Sequence, residues 1–111
     1  MMPTGSDLSQ QPTAPSPESL GRVLVVDDQK NMRATTAMLL RAEGYAVDEA
    51  ASGDAACESI AHQPYDIVVT DLKMEPMDGL ELLRRVRDAS PTTQVIVMTA
   101  YGTIESAVPL L

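Results

Sequence analysis

From Arg22 onward the chain switches between two spacings of apolar residues. "RVLVV" (Arg22–Val26), "DIVVT" (Asp66–Thr70) and "QVIVM" (Gln94–Met98) are short, near-continuous runs of branched apolar side chains. Runs of this kind predict strands buried on both faces, as in a parallel sheet, because a strand with one wet face alternates instead. "YAVDEA", starting at Tyr45, does alternate, and predicts a half-exposed edge strand. Between these runs, Met32, Thr36, Leu39 and Leu40 recur at helical spacing, with Gly44 placed as the stop. A second, shorter helix is predicted over Asp54 to Ala61, ending before Pro64. A third starts from an Asp78 N-cap, lines one face with Leu80, Leu83 and Val86, and closes at Ser90-Pro91. A fourth helix is expected to begin near Thr103.

Strands alternating with helices predict βαβ units with right-handed crossovers, an α/β fold of the doubly wound parallel type. At 111 residues, 44% of them apolar, the chain forms at most one domain. Residues 1–20, "MMPTGSDLSQQPTAPSPESL", are rich in Pro, Ser, Gln and Thr, cannot bury enough apolar surface to offset ordering, and are predicted as a disordered tail. They lack the basic and apolar regions of a signal peptide, and no segment is long and apolar enough to span a membrane. The domain is therefore placed at residues 21–111.

Charge narrows the function. Sixteen Asp and Glu against eight Lys and Arg give a formal net charge of -8, which argues against binding a nucleic-acid backbone. A lone cysteine, Cys57, cannot form an internal disulfide and fits a reducing, cytoplasmic compartment; inside a helical pattern it reads as a small apolar residue. His62, the single histidine, sits where the second helix ends and reads as a solvated C-terminal cation.

Ligands of open parallel sheets sit beyond the carboxyl ends of the strands. Three of the four candidate strands end there in polar side chains: Asp27-Asp28, Asp71 and Thr99. Each aspartate taken alone suits a turn or a helix cap. Together they would gather three negative charges. At about 4 Å and an effective dielectric near 20, each like-charged pair repels by roughly 4 kcal/mol, so either one carboxyl takes up a proton or a hard cation joins the cluster. Oxygen-only ligands point to Mg²⁺ or Mn²⁺ rather than zinc. Such a site suits phosphoryl transfer: Asp71 can attack phosphorus to give an aspartyl phosphate, and the Thr99 hydroxyl can bond one of its oxygens.

"VLVVDD", "VVTDLKMEPMDG" and "VIVMTAYG" resemble, in that order, the receiver domain of bacterial two-component response regulators, over about Gly21 to Val108. The wording "DLKM…MDGLELL" with "MTAYGTIESAV" is most similar to receivers of alternative-sigma-factor transcriptional activators. The resemblance implies a flavodoxin-like sheet of order 2-1-3-4 and a phosphoacceptor, not an enzyme. Asp71 would accept phosphate from a phosphohistidine on a sensor histidine kinase. Asp28, Asp71 and the backbone carbonyl of Lys73 would ligate Mg²⁺ directly, and Asp27 would hold a metal-bound water. Thr99 would be the switch hydroxyl, with small Ala100 leaving the phosphoryl site open. Two departures stand out. Glu75 occupies the family's usual proline position, with Pro76 following. The fifth strand with its Lys-Pro pair and the last helix are missing, so the chain reads as a C-terminally truncated receiver. Neither Lys30 nor Lys73 matches the lost lysine. An unpaired edge on the fourth strand and an uncovered sheet face are then expected to favour self-association. The rival reading is a receiver-like protein-binding module without phosphorylation-dependent switching. A Mg²⁺-dependent phosphatase is disfavoured, because it needs an acid two residues after the nucleophile and position 73 is lysine.

Overall fold

The structure, a computed structural model, describes residues 19–99 and the backbone of 102–105. In chain order the elements are β1 (Arg22–Val26), α1 (Lys30–Glu43), β2 (Ala46–Ala50), α2 (Gly53–His62), β3 (Ile67–Asp71), α3 (Gly79–Ala89), β4 (Gln94–Thr99) and β5 (Gly102–Glu105). The sheet order is β2-β1-β3-β4-β5, and the first four strands are mutually parallel. That is the predicted doubly wound order 2-1-3-4. Central β1 is buried at every position, as its unbroken apolar run requires, and edge strand β2 alternates; β3 and β4, expected to be buried on both faces, alternate as well, because one of their faces opens on a groove.

Side-chain alternation divides the core in two. Leu24, Val26, Val68, Val95 and Val97 meet Ala56, Leu82, Leu83 and Val86 of α2 and α3 on one face. Val23, Val25 and Val47 meet Ala37 of α1 on the other. Helix ends follow local chemistry. Gly44 closes α1 at φ 112°, a left-handed conformation that favours glycine. Asp78 caps α3 by accepting a hydrogen bond from the Glu81 N–H at 2.8 Å.

Three expectations are corrected. The segment from Gly102 to Glu105 is a strand and not the start of a fourth helix; it returns antiparallel to β4, with Thr99 opposite Gly102 and Ile96 opposite Glu105. The edge of β4 expected to be open is therefore paired. Its free N–H and C=O groups provide a template, and β-branched Thr103 and Ile104 suit a strand. On α3 the inner face is Gly79, Leu82, Leu83 and Val86, while Leu80 turns outward. On α1, Ala37 alone is fully buried, and Met32 and Leu39 of the residues at helical spacing are 54% and 60% exposed. Among the described residues α1 is the one helix on its face of the sheet, and its Met32 and Thr36 overhang a groove.

A polar knot pins the end of the sheet opposite the carboxyl tips. Asp48 accepts hydrogen bonds from the Tyr65 hydroxyl at 2.6 Å, Arg22 at 3.0 Å and Gln63 at 3.1 Å. Burial, reinforced by the Asp48 carboxylate, pushes the Tyr65 phenol up to about 12. The neutral phenol is the form the fold prefers. Its contribution to stability is complete below pH 10, the unfolded value, and is lost as pH rises from about 10 to about 12. Two pKa units correspond to at most roughly 2–3 kcal/mol. Urea midpoints across this range are expected to fall, and the fall should shrink in Tyr65→Phe.

Candidate functional site: an acidic pocket at the strand tips

The parallel register sets Val26, the last residue of β1, opposite Thr70, so that Asp27 just beyond β1 comes level with Asp71 at the end of β3. The chain leaves both strands as aspartate. One carboxylate oxygen each from Asp27, Asp28 and Asp71 lie within 4.8 Å of one another. The three predicted acids are thus one cluster. Asp27 and Asp71 are half-buried and Asp28 is exposed. Burial pushes the Asp27 carboxyl above its usual range, and the Asp71 and Asp28 charges push the same way. A hydrogen bond from the Gln29 N–H at 2.9 Å and the nearby Arg33 guanidinium oppose that rise.

Thr99 and Lys73 line the same cavity as Asp27 and Asp71, so both predicted residues stand beside the cluster. Ala100 lies outside the described residues. The cavity, of about 480 Å³, continues away from the acids as a groove with Val25, Val69 and Met98 as floor and Met32 and Thr36 as wall. Asp28, Lys73, Glu75, Asp78 and Leu80 line a second, more open hollow beside it. Glu75, in the place of the expected proline, does therefore add a carboxylate at the rim.

The donor set fits a small hard cation. All three side chains offer oxygen, and their oxygens are nearly as close as opposite ligands of a Mg²⁺ ion, which sit about 4 Å apart. A divalent ion would offset the Asp71 and Asp28 charges that add to burial in raising the Asp27 carboxyl.

Two residues of structural weight were missed by the sequence reading. Gly79 lies against the backbone leaving β3: a Cβ there would meet the Asp71 carbonyl oxygen at 2.5 Å and the Leu72 Cα at 2.9 Å. The Gly79 N–H donates to the Leu72 carbonyl at 2.9 Å. The "MDG" triplet carried the signal, since glycine at a helix start marks a close backbone approach. Arg33 donates to the Asp27 carbonyl at 2.9 Å; within "KNMRATT" nothing distinguishes it from a solvated helix residue.

A parallel sheet of this order with an acidic pocket at its carboxyl tips defines a class, and the sequence comparison agrees. The chain belongs to the response regulator receiver domain family, which it matches over residues 23–111. It is 39% identical over 89 residues to transcriptional regulatory protein ZraR of Escherichia coli, covering 80% of this chain and 20% of that protein. It is 36% identical over 84 residues to sporulation initiation phosphotransferase F of Bacillus subtilis, covering 76% of this chain and 68% of that protein. The chain thus spans about a fifth of the length of the first of these relatives. Response regulator protein TrrA from Thermotoga maritima, solved in complex with Mg(2+)-BeF, superposes with a TM-score of 0.70 at 35% identity, over 74% of this chain and 71% of that one.

Proposed function

We propose that the domain is a phosphoacceptor of a two-component phosphorelay, taking a phosphoryl group on Asp71. The observation that carries this is the convergence of Asp27, Asp28 and Asp71 oxygens within 4.8 Å at the strand tips. An ionised Asp71 oxygen bonds to phosphorus as the bond to the donor's imidazole nitrogen breaks, giving an aspartyl phosphate and a free histidine on a sensor kinase. Asp28, Asp71 and the Lys73 carbonyl would hold Mg²⁺, with Asp27 holding a metal-bound water; when bound, the ion neutralises charge on the transferring group. Thr99, which lines the same cavity, would supply a hydroxyl to bond a phosphoryl oxygen. The domain is a substrate in this transfer and not an enzyme. No helix among the described residues is long and apolar enough to cross a membrane, and a cytoplasmic location fits a partner that is a phosphorylated kinase. The relatives' names favour a transcriptional output for a longer protein of this type.

The second reading, a protein-binding receiver without a switch, draws on the open groove lined by Met32, Val69 and Met98. Incubation with a small acyl phosphate and Mg²⁺, followed by intact mass, separates the two. One phosphoryl adduct that disappears with chelator is expected; metal binding without an adduct favours the second reading.

A further inference from the structure

Two of the three acids sit on a very short connection. Only Asp27, Asp28 and Gln29 separate β1 from α1, so the direction of both carboxylates depends on what fixes that turn. From the sheet side the Asp27 N–H donates to the Ala50 carbonyl at 3.2 Å, tying the turn to the end of β2. From the helix side the tie is a side chain. Arg33, one turn into α1, donates through Nη1 to the Asp27 carbonyl oxygen at 2.9 Å and through Nε to Glu49 Oε1 at 3.1 Å. Its side chain is only 16% exposed. Glu49, on β2, is approached on its other oxygen by Arg41 at 3.8 Å, and Arg41 itself donates to the Val47 carbonyl at 2.9 Å.

The arrangement differs from an ordinary surface ion pair in what the guanidinium grips. One prong holds a carboxylate on the neighbouring strand, and the other holds a backbone carbonyl in the acidic turn. One Asp27 carboxylate oxygen accepts from the Gln29 N–H within the turn, while the backbone on both sides of the Asp27 Cα is bonded, the N–H to Ala50 and the carbonyl to Arg33. A planar fork can make both bonds at once, whereas a lysine ammonium offers a point charge without that fixed geometry.

We propose that Arg33, held by Glu49, is a positioning residue that sets the Asp27-Asp28 turn for divalent-cation binding. This rests on the acidic pocket's being a Mg²⁺ site. Outer partners that orient metal ligands typically change affinity about 10- to 100-fold when removed. Arg33→Met is expected to weaken Mg²⁺ binding by about tenfold or more, and Arg33→Lys to restore only part of it. Glu49→Gln should weaken binding less, and should add little in the Arg33→Met background, because it acts through the same side chain.

The test is Mg²⁺ titration of the full chain by calorimetry, well below each variant's unfolding temperature, with Arg41→Met as the control. Arg41 also faces Glu49 but donates to the Val47 carbonyl within β2, away from the acidic turn, so its loss is expected to lower stability and leave Mg²⁺ affinity within about twofold of the wild type. Unchanged affinity in Arg33→Met, or an equal loss in Arg41→Met, overturns the proposal while leaving the pocket's function intact. Absence of Mg²⁺ binding in the wild type overturns both. Should Arg33→Met fail to fold, Arg33→Lys against Arg41→Met decides on the same criterion.

Discussion

Asp71→Asn is expected to take up no phosphoryl group from an acyl phosphate and Mg²⁺, under conditions in which the wild type gains one. The amide keeps the shape of the side chain but removes the ionised oxygen that attacks phosphorus. The same change should act on stability with the opposite sign. In metal-free protein the Asp71 carboxylate sits near two like charges, and Asp27 titrates high partly because of it. At an effective dielectric near 20 a pair about 4–5 Å apart repels by roughly 3–4 kcal/mol, a figure that partial exposure and salt reduce substantially. A gain of about 1 kcal/mol in metal-free Asp71→Asn is therefore expected from urea midpoints. Saturating Mg²⁺ should stabilise the wild type, by about 2.7 kcal/mol at a hundredfold excess over Kd, and the variant less. An adduct that persists in Asp71→Asn, on intact mass, would assign the phosphate to another residue.

Gly79→Ala is expected to cost about 2–3 kcal/mol, the upper part of the range for forcing an extra group into a packed site. The new methyl would meet three backbone atoms, the Asp71 carbonyl oxygen and carbon and the Leu72 Cα, all within 3.2 Å. None can rotate away. Relief requires α3 to retreat from the end of β3, which also stretches the Gly79 N–H bond to Leu72 and tilts the peptide that carries Asp71. Loss of stability should therefore be joined by slower phosphorylation. Gly53→Ala is the informative contrast. A Cβ there would meet Met77 Sδ at 2.5 Å and its Cβ and Cγ at 3.0 Å, but Sδ and Cγ can swing away by a change of rotamer, leaving Cβ as the one close contact fixed by the backbone. It should cost less than Gly79→Ala and leave phosphorylation unaffected. Urea midpoints and initial labelling rates of the two variants check the pair; equal penalties would refute the backbone argument.

Much of this architecture is legible along the chain, for a local reason. Continuous apolar runs marked β1, β3 and β4 as strands, and alternation marked β2 as an edge, but burial on both faces held for β1 alone, since burial of β3 and β4 depends on what covers each face of the sheet. Gly44 and Asp78 announced helix ends through conformational freedom and side-chain capping, properties a residue carries wherever it sits. Strand order came from the resemblance to receiver domains, while the tips of parallel strands had to share one end of the sheet whatever their order. Asp27, Asp28, Asp71 and Thr99 could be named on that basis.

What the tertiary structure alone decided concerns contacts between segments distant in sequence. Apolar spacing on α1 did not reveal that Met32 faces an open groove or that Leu39 is exposed, since that depends on what else covers the sheet. Nor did Gly102–Glu105 declare itself a strand: its state depends on the β4 edge beside it, and strand preference is a property of context. The 4.8 Å spread of the acids exists only after β1 and β3 have paired, and the approach of Gly79 to Asp71 and the bond from Arg33 to the Asp27 carbonyl, though closer along the chain, depend on how α3 and α1 lie against that sheet. The sequence determined which chemistry stands at the strand tips; the packed chain determined how closely those groups meet and what holds them there, because such distances arise from long-range pairing that no local pattern encodes.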